Sequence, residues 1–322
     1  MTASPISSPR RILVTGSSGF VGGAVLEHLR AAGHDARGFS RAGGVTAYRG
    51  DLLNPASLDA TLADFRPEIV INLAGTTDLK GTSSQGYAAN VEGVANLIAA
   101  VSRSAAVERV IWASSQLVGR PGQIPLHDTD YNPVGAYGES KAEGERRVRD
   151  ADGGGRGWVI VRSTTIWGPG MSEHYSGMLR LIRKGLYFHV GRAPLRKSYS
   201  YIENLAGQFA ALATAPLEQI NRQTLYLADS EPIDLRQWAD GFAAAFGRRI
   251  PTLPAPLARG LAGVGDLAAR LGLPAPLTSA RLGNMLTEYV YDTAAIEALH
   301  GPTTITNAEG VRRTAAWHQK MR

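Results

Sequence analysis

The chain has no cysteine. That excludes disulfides, thiol catalysis and thiolate metal sites, and it suits a reducing compartment. No apolar run reaches the roughly 18–20 residues that span a bilayer. The nearest, Pro254 to Leu277, is interrupted by Arg259, Asp266 and Arg270 and by prolines. It reads as a helix pair of a substrate domain. Met1 to Pro9 is polar and contains proline, without the apolar core of a secretory signal. No two of the seven histidines stand at metal-ligand spacing on a helix. No repeat is visible. The net charge is +6, but the basic residues are dispersed apart from pairs such as Arg146-Arg147 and Arg248-Arg249. They read as a solvated surface and not as a nucleic-acid interface, although a mild positive field attracts anionic ligands. The expectation is a cytoplasmic protein without metal, nucleic-acid partner or membrane span.

What is present is 322 residues, 44% hydrophobic and 19% charged. That is ordinary for a soluble enzyme and enough for one or two domains with a large core. Short apolar runs alternate with helical patterns through the first half. Candidate strands are Arg11 to Val14, Ala36 to Phe39, Thr46 to Arg49 (weak), Ile69 to Leu73, Arg109 to Ala113 and Trp158 to Val161. Helical spacing joins Phe20, Val21, Val25, Leu26 and Leu29, and again Val91, Val94, Leu97, Ile98 and Val101. A further helix runs from about Gly135 to Arg149, before a flexible break at Gly153-Gly154-Gly155. Nearly continuous apolar strands alternating with helices predict an α/β fold, a Rossmann-type doubly wound parallel sheet. After Gly168-Pro169-Gly170 helices dominate and prolines cluster. This part reads as a smaller, mainly helical C-terminal substrate domain. The expected boundaries are 1–165 for the nucleotide-binding domain, with a return near 198–228, and 166–197 plus 229–322 for the substrate domain. Tyr199 to Ile202 and Thr224 to Leu227 are candidates to extend the sheet. The cleft between the two parts is the expected substrate site.

The organising stretch is Thr15-Gly16-Ser17-Ser18-Gly19-Phe20-Val21-Gly22, between the first strand and the first helix. Gly16 permits the sharp turn, Gly19 lets a diphosphate approach the backbone, and Gly22 lets the helix lie close to the strand. Helix-start N–H groups suit an anion. The residues of this turn, with Ser18, Phe20 and Val21, therefore predict a dinucleotide site. Where NAD-binding proteins usually carry an acidic residue for the adenosine ribose, this chain has Ser40 followed by Arg41. A guanidinium pairs with a 2′-phosphate that a carboxylate would repel, so NADP(H) is favoured and NAD(H) remains open. Asp51, next to Leu52, is placed to accept from an adenine amine. Leu73-Ala74-Gly75 keeps the backbone close to a ligand at the sheet's carboxyl edge.

In Tyr137-Gly138-Glu139-Ser140-Lys141, Tyr137 and Lys141 share a helix face. A free tyrosine titrates near pH 10, and a neighbouring ammonium favours the phenolate. Such a tyrosine exchanges a proton with a hydroxyl or carbonyl oxygen while hydride moves at the carbon. Ser115, at the end of the preceding strand, is placed to hydrogen-bond that oxygen. Asn90 is placed to hold a water or a backbone carbonyl near Lys141.

These residues, with Ser114, Arg162 and Gly168-Pro169-Gly170, resemble the extended short-chain dehydrogenase/reductases, above all the nucleotide-sugar epimerase/dehydratase group. The resemblance covers nearly the whole chain. It implies that Tyr137 is the acid–base residue, that Lys141 binds the nicotinamide ribose and tunes Tyr137, and that Ser115 positions the substrate oxygen. Two departures narrow it. Gln116 and Leu117 replace the Asp-Glu pair of the dehydratases, which argues against sugar 4,6-dehydration. Val118-Gly119-Arg120 replaces the usual Val-Tyr-Gly. Arg196 and Lys197 resemble the segment that brings a basic residue to a substrate diphosphate. The resemblance implies an oxidoreductase or epimerase of a nucleotide-activated sugar. A keto-sugar reductase is slightly favoured because Ser40-Arg41 suggests a released NADPH. The alternatives are an NAD-retaining 4-epimerase and a reductase or dehydrogenase of a steroid- or flavonoid-like alcohol. Relatives pair through the helices carrying Asn90 and Tyr137, and Ala88, Ala89, Ala95, Ala99 and Ala142 are compatible with such a homodimer.

Overall fold

The computed structural model describes residues 8–321 apart from 80, 82–83, 124, 172, 274 and 276. The N-terminal reading lies outside the described residues as far as Ser7. Strand β1 (Arg11–Thr15) ends at the glycine turn, and α1 (Phe20–Ala31) begins four residues beyond it. Then come β2 (Asp35–Ser40), β3 (Ala47–Arg49), α2 (Pro55–Phe65), β4 (Ile69–Asn72), α3 (Ala88–Arg103), β5 (Arg109–Ser115) and α4 (Gly135–Asp150). A single turn, α5 (Asp152–Gly155), leads into β6 (Gly157–Ser163). The triple glycine is thus a tight turn and not a flexible break. Gly153 and Gly154 have positive φ, and the Trp158 ring occupies the space a Cβ on Gly153 would need.

The second half contains β7 (Thr165–Trp167), α6 (Glu173–Lys184), β8 (His189–Val190), β9 (Arg196–Lys197), β10 (Tyr199–Tyr201), α7 (Ile202–Thr214) and α8 (Leu217–Ile220). It continues with β11 (Gln223–Leu227), β12 (Ile233–Asp234), α9 (Leu235–Ala245), β13 (Thr252–Leu253), α10 (Ala255–Arg270), α11 (Ser279–Leu286), α12 (Ala294–His300) and α13 (Asn307–Lys320).

Seven strands form one parallel sheet in the order β11-β6-β5-β4-β1-β2-β3. Side chains alternate across it. Ile12 and Val14 pack with Val25 and Leu29 of α1 and Leu205 and Phe209 of α7. Leu13, between them, packs on the other face with Leu58 and Leu62 of α2 and Leu97 of α3. Burial of each such side chain is worth about 1.5–3 kcal/mol. The strand order reverses between β1 and β4, so their carboxyl ends diverge and leave a crevice there.

Of the two candidate returns, Gln223–Leu227 joins the sheet beside β6, whereas Tyr199–Tyr201 pairs with β7 in a separate two-stranded ribbon. Thr164 separates β6 from β7, and its hydroxyl meets the Ser200 hydroxyl and the Leu227 carbonyl. The ribbon therefore lies past the sheet's carboxyl edge. A second core forms beyond that edge. Trp167, Trp238 and Phe242 meet edge to face, with ring centres 5.3 Å and 5.0 Å apart along the series. Asp229 accepts from the Tyr201 N–H and from Asn204, whose amide also donates to the Ile305 carbonyl. This ties α7 to the end of β11 and to the approach to α13. Among the small residues considered for a dimer, Ala142 is fully buried within the chain, while Ala99 is exposed.

Candidate active site

The glycine turn depends on close backbone approach. Gly16 has φ +68°, and a Cβ there would lie 2.8 Å from the backbone of Ala74. A Cβ on Gly22 would lie 2.2 Å from the Gly16 carbonyl oxygen. Both positions exclude a side chain, so α1 seats directly on the turn. Thr15, the first residue of the organising stretch, fastens this corner. Its hydroxyl donates to Asn72 at 2.7 Å and accepts from the Leu73 and Ala74 N–H groups at 3.1 and 3.0 Å. A threonine ending an apolar strand is a signal for such a lock, because a buried hydroxyl needs partners. No side chain caps the start of α1, so its first N–H groups remain available to an anion.

A cleft of about 620 Å³ opens above the turn. Its wall includes Gly16, Ser18, Gly19, Phe20, Val21 and Gly22, then Ser40, Arg41, Asp51 and Leu52. It also includes Leu73, Ala74, Gly75, Ser115, Gln116, Tyr137 and Lys141. Thr76, Leu79, Ser163 and Thr164 complete regions of the wall that carried no sequence signal. At the distal end Ser40 is buried and accepts from the Gly43 N–H at 3.2 Å. Arg41 beside it is exposed. Asp51 accepts from the Leu53 N–H at 3.0 Å. The narrow glycine cradle, the uncapped helix start and a carboxylate and guanidinium at the far end fit an extended dinucleotide. Among the described residues no group of three or more His, Asp and Glu could hold a metal ion.

At the other end α4 carries Tyr137 and Lys141 one turn apart. The Lys141 ammonium donates to the Ala113 carbonyl at 3.1 Å. Burial pulls it down to about 8, against the opposing pull of Glu145. Asn90 stands behind the wall. It accepts from the Thr76 N–H at 2.8 Å and donates to the Thr76 carbonyl at 3.0 Å and to the Ser140 hydroxyl at 2.9 Å. Ser140 donates in turn to the Tyr137 carbonyl at 2.7 Å. The backbone carbonyl that Asn90 holds is thus Thr76's, and through Ser140 it also braces the first turn of α4. Ser115 accepts from the Leu117 N–H at 3.2 Å, which leaves its O–H to donate.

A buried ion pair supports this end and was not anticipated. Arg162 and Glu145 are each almost wholly enclosed and make a two-pronged contact at 3.0 and 2.7 Å. Burial works against the guanidinium's charge, but Glu145 outweighs it and holds Arg162 above its ordinary value. Ser114, opposite Arg162 in the sheet register, donates to the same carboxylate at 2.5 Å. Ser114 therefore faces Glu145, while Ser115, its strand neighbour, belongs to the opposite side.

Aromatic rings cluster beside Gln116. Gln116 donates to Thr165 at 3.3 Å, and its buried Oε1 has no hydrogen-bond partner among the described residues. The Tyr289 hydroxyl, raised by burial, meets Thr165, Tyr199 and Gln116. Tyr291 lies 6.0 Å from Tyr289 and stacks on Tyr226 at 4.3 Å. Arg196 and Lys197 lie outside the cleft wall. Lys197 is buried, donates to the Asn284 carbonyl at 2.9 Å and sits 4.9 Å over the Tyr289 ring. Burial lowers it to about 8. Arg196, next along the strand, is exposed.

Comparison with known proteins is in keeping with this geometry. Residues 12–221 match the model of the NAD dependent epimerase/dehydratase family. A 3 beta-hydroxysteroid dehydrogenase/Delta 5-->4-isomerase of Mycobacterium tuberculosis is 31% identical over 294 residues, covering 83% of this chain and 78% of that protein. A 2-alkyl-3-oxoalkanoate reductase of Stenotrophomonas maltophilia is 29% identical over 253 residues, covering 74% and 76%. The UDP-glucose 4-epimerase of Thermus thermophilus, solved in complex with NAD, superposes with a TM-score of 0.70 at 22% identity. That match covers 96% of this chain and 99% of the other and speaks for the fold alone.

Proposed function

The chain belongs to the NAD-dependent epimerase/dehydratase family, and from that premise we propose that it interconverts a ketone and a secondary alcohol on a lipophilic substrate. The observation that carries the proposal is the convergence of Tyr137, Lys141 and Ser115 on the same cleft as the glycine turn. When bound, a nicotinamide cofactor supplies or takes the hydride. The chain's own residues handle the oxygen. Ser115 donates to it and fixes its position. Tyr137 gives it a proton in reduction and takes one in oxidation. Lys141, anchored on the Ala113 carbonyl, places positive charge on the tyrosine's own helix face and favours the phenolate.

The sequence alone ranks a nucleotide sugar first. Three observations support the lipophilic substrate instead. Two relatives carry names of steroid and alkyl-oxoalkanoate chemistry. Tyr199, Tyr226, Tyr289 and Tyr291 cluster beside Gln116, a residue of the cleft wall. Lys197 is committed to Asn284 and Tyr289 and not offered to a phosphate. The exposed Arg196 favours the second reading, a keto-sugar nucleotide or an NAD-retaining 4-epimerase. Thermal shifts in the presence of cofactor separate the two. Steroid-like and alkyl-oxo ketones are expected to raise Tm, and UDP-sugars to leave it unchanged. Stabilisation by UDP-sugars alone would reverse the assignment.

For the cofactor, we propose an NADP(H) preference through Arg41. Arg41→Ala is expected to weaken NADPH binding about tenfold or more, the worth of a charge-assisted contact, while NADH binding changes little. Fluorescence titration checks this. A parent protein that binds NADH as tightly as NADPH would make Arg41 a bystander.

A further inference from the structure

Helix α10 turns its small residues inward and its large ones outward. Ala258 and Ala262 are fully buried against a satellite core containing Leu282. Leu257, Leu261, Val264 and Leu267 lie along the opposite stripe, continued by Leu271, and each is between 48% and 69% exposed. A soluble surface helix normally shows the reverse pattern. Leu186, just past the end of α6, is exposed as well. The β8–β13 pairing and the Arg248 contact to the Arg183 carbonyl, at 3.0 Å, bring that end of α6 beside the start of α10.

The charge around this stripe is one-sided. Segments 171–192 and 248–281 carry nine Arg and Lys against two acidic residues. The rest of the chain has 25 against 26. The whole positive excess of the protein is therefore concentrated in the two segments that frame the exposed leucines. No helix among the described residues is long and apolar enough to cross a membrane.

We propose that this surface docks on an anionic lipid bilayer, with α10 lying in the interface, its leucines in the acyl boundary and the surrounding arginines on the headgroups. Apolar stripe and basic frame are what an interfacial helix needs. A second copy of the chain fits less well, because a two-fold interface sets each patch against itself and would bring like charges together. Packed elements link this surface to the residues beside the cleft. α10 contacts α11, α11 supplies the Asn284 carbonyl that holds Lys197, and three residues after α11 comes Tyr289 at Gln116. The docking itself does not depend on the substrate reading above.

The test is co-sedimentation of the full chain with vesicles of phosphatidylcholine plus phosphatidylglycerol, and of phosphatidylcholine alone, at low and high salt. Binding is expected to the anionic vesicles, weaker on the neutral ones and weaker in salt. The triple variant Leu261→Ser, Val264→Ser and Leu267→Ser is expected to bind about a hundredfold more weakly or worse, with unchanged circular dichroism. Absence of binding at low salt, or equal binding by the variant, overturns the proposal. So does a wild-type oligomer that the variant dissolves, since a second copy would then cover the stripe. Turnover of a lipophilic ketone by protein that ignores vesicles removes the docking and leaves the function standing. Vesicle binding by protein that turns over no such ketone does the opposite.

Discussion

Tyr137→Phe is expected to fold, bind cofactor like the parent and lose about 10²–10⁴-fold in kcat/KM, the range for removing a positioned acid–base group. The substitution deletes one oxygen from a side chain facing the cleft, while the braces that fix its helix turn remain. Ser140 still donates to the carbonyl of residue 137, and Asn90 still donates to Ser140. Cofactor affinity and Tm should therefore stay near the parent's, which separates lost chemistry from lost structure. Steady-state turnover with cofactor titration on the same sample reads both. Turnover within about threefold of the parent would contradict the role, because a general acid–base group is worth far more than that.

The second large effect concerns stability. Arg162→Met is expected to cost about 3–5 kcal/mol, because it strands the Glu145 carboxylate in a site that excludes water. Ser114 and Tyr131 would remain as its hydroxyl donors, with Arg149 only at 3.9 Å. The double variant Arg162→Met with Glu145→Gln should recover part of the loss, since replacing both charges removes the uncompensated one. Denaturant unfolding of the two variants and the parent supplies the comparison. A loss below about 1 kcal/mol for Arg162→Met would mean that water reaches Glu145 and that the pair is not sealed.

The parts of this molecule that were readable in the sequence are local. The strand–glycine–helix unit is read within a few residues because it is built from consecutive positions, with Gly22 seated on the Gly16 carbonyl. Tyr137 and Lys141 are readable because a helix fixes their relation at i and i+4. The sheet follows from apolar strands that alternate with helices. What escaped depends on pairing between distant segments. Arg162 stands in an otherwise apolar strand, and that alone demands a partner, but nothing in the spacing selects Glu145 on α4. Arg196 and Lys197 are adjacent, so a strand sends them to opposite faces. The antiparallel pairing of β9 with β12 decides that Lys197 goes inward. The tyrosine cluster joins residues from β10, β11 and the segment after α11, which no sequence periodicity connects. On α10, alanine and leucine are both apolar, so the pattern alone does not say which face is buried.

The measurement that bears most directly on the central claim is isotope transfer from reduced cofactor carrying deuterium at the transferable C4 position. The protein is incubated with a panel of steroid-like and alkyl-oxo ketones beside a panel of UDP-sugars. Cofactor oxidation is expected with the ketones, with deuterium on the new carbinol carbon of the product. UDP-sugars epimerised with cofactor retained, and no ketone labelled, would contradict it.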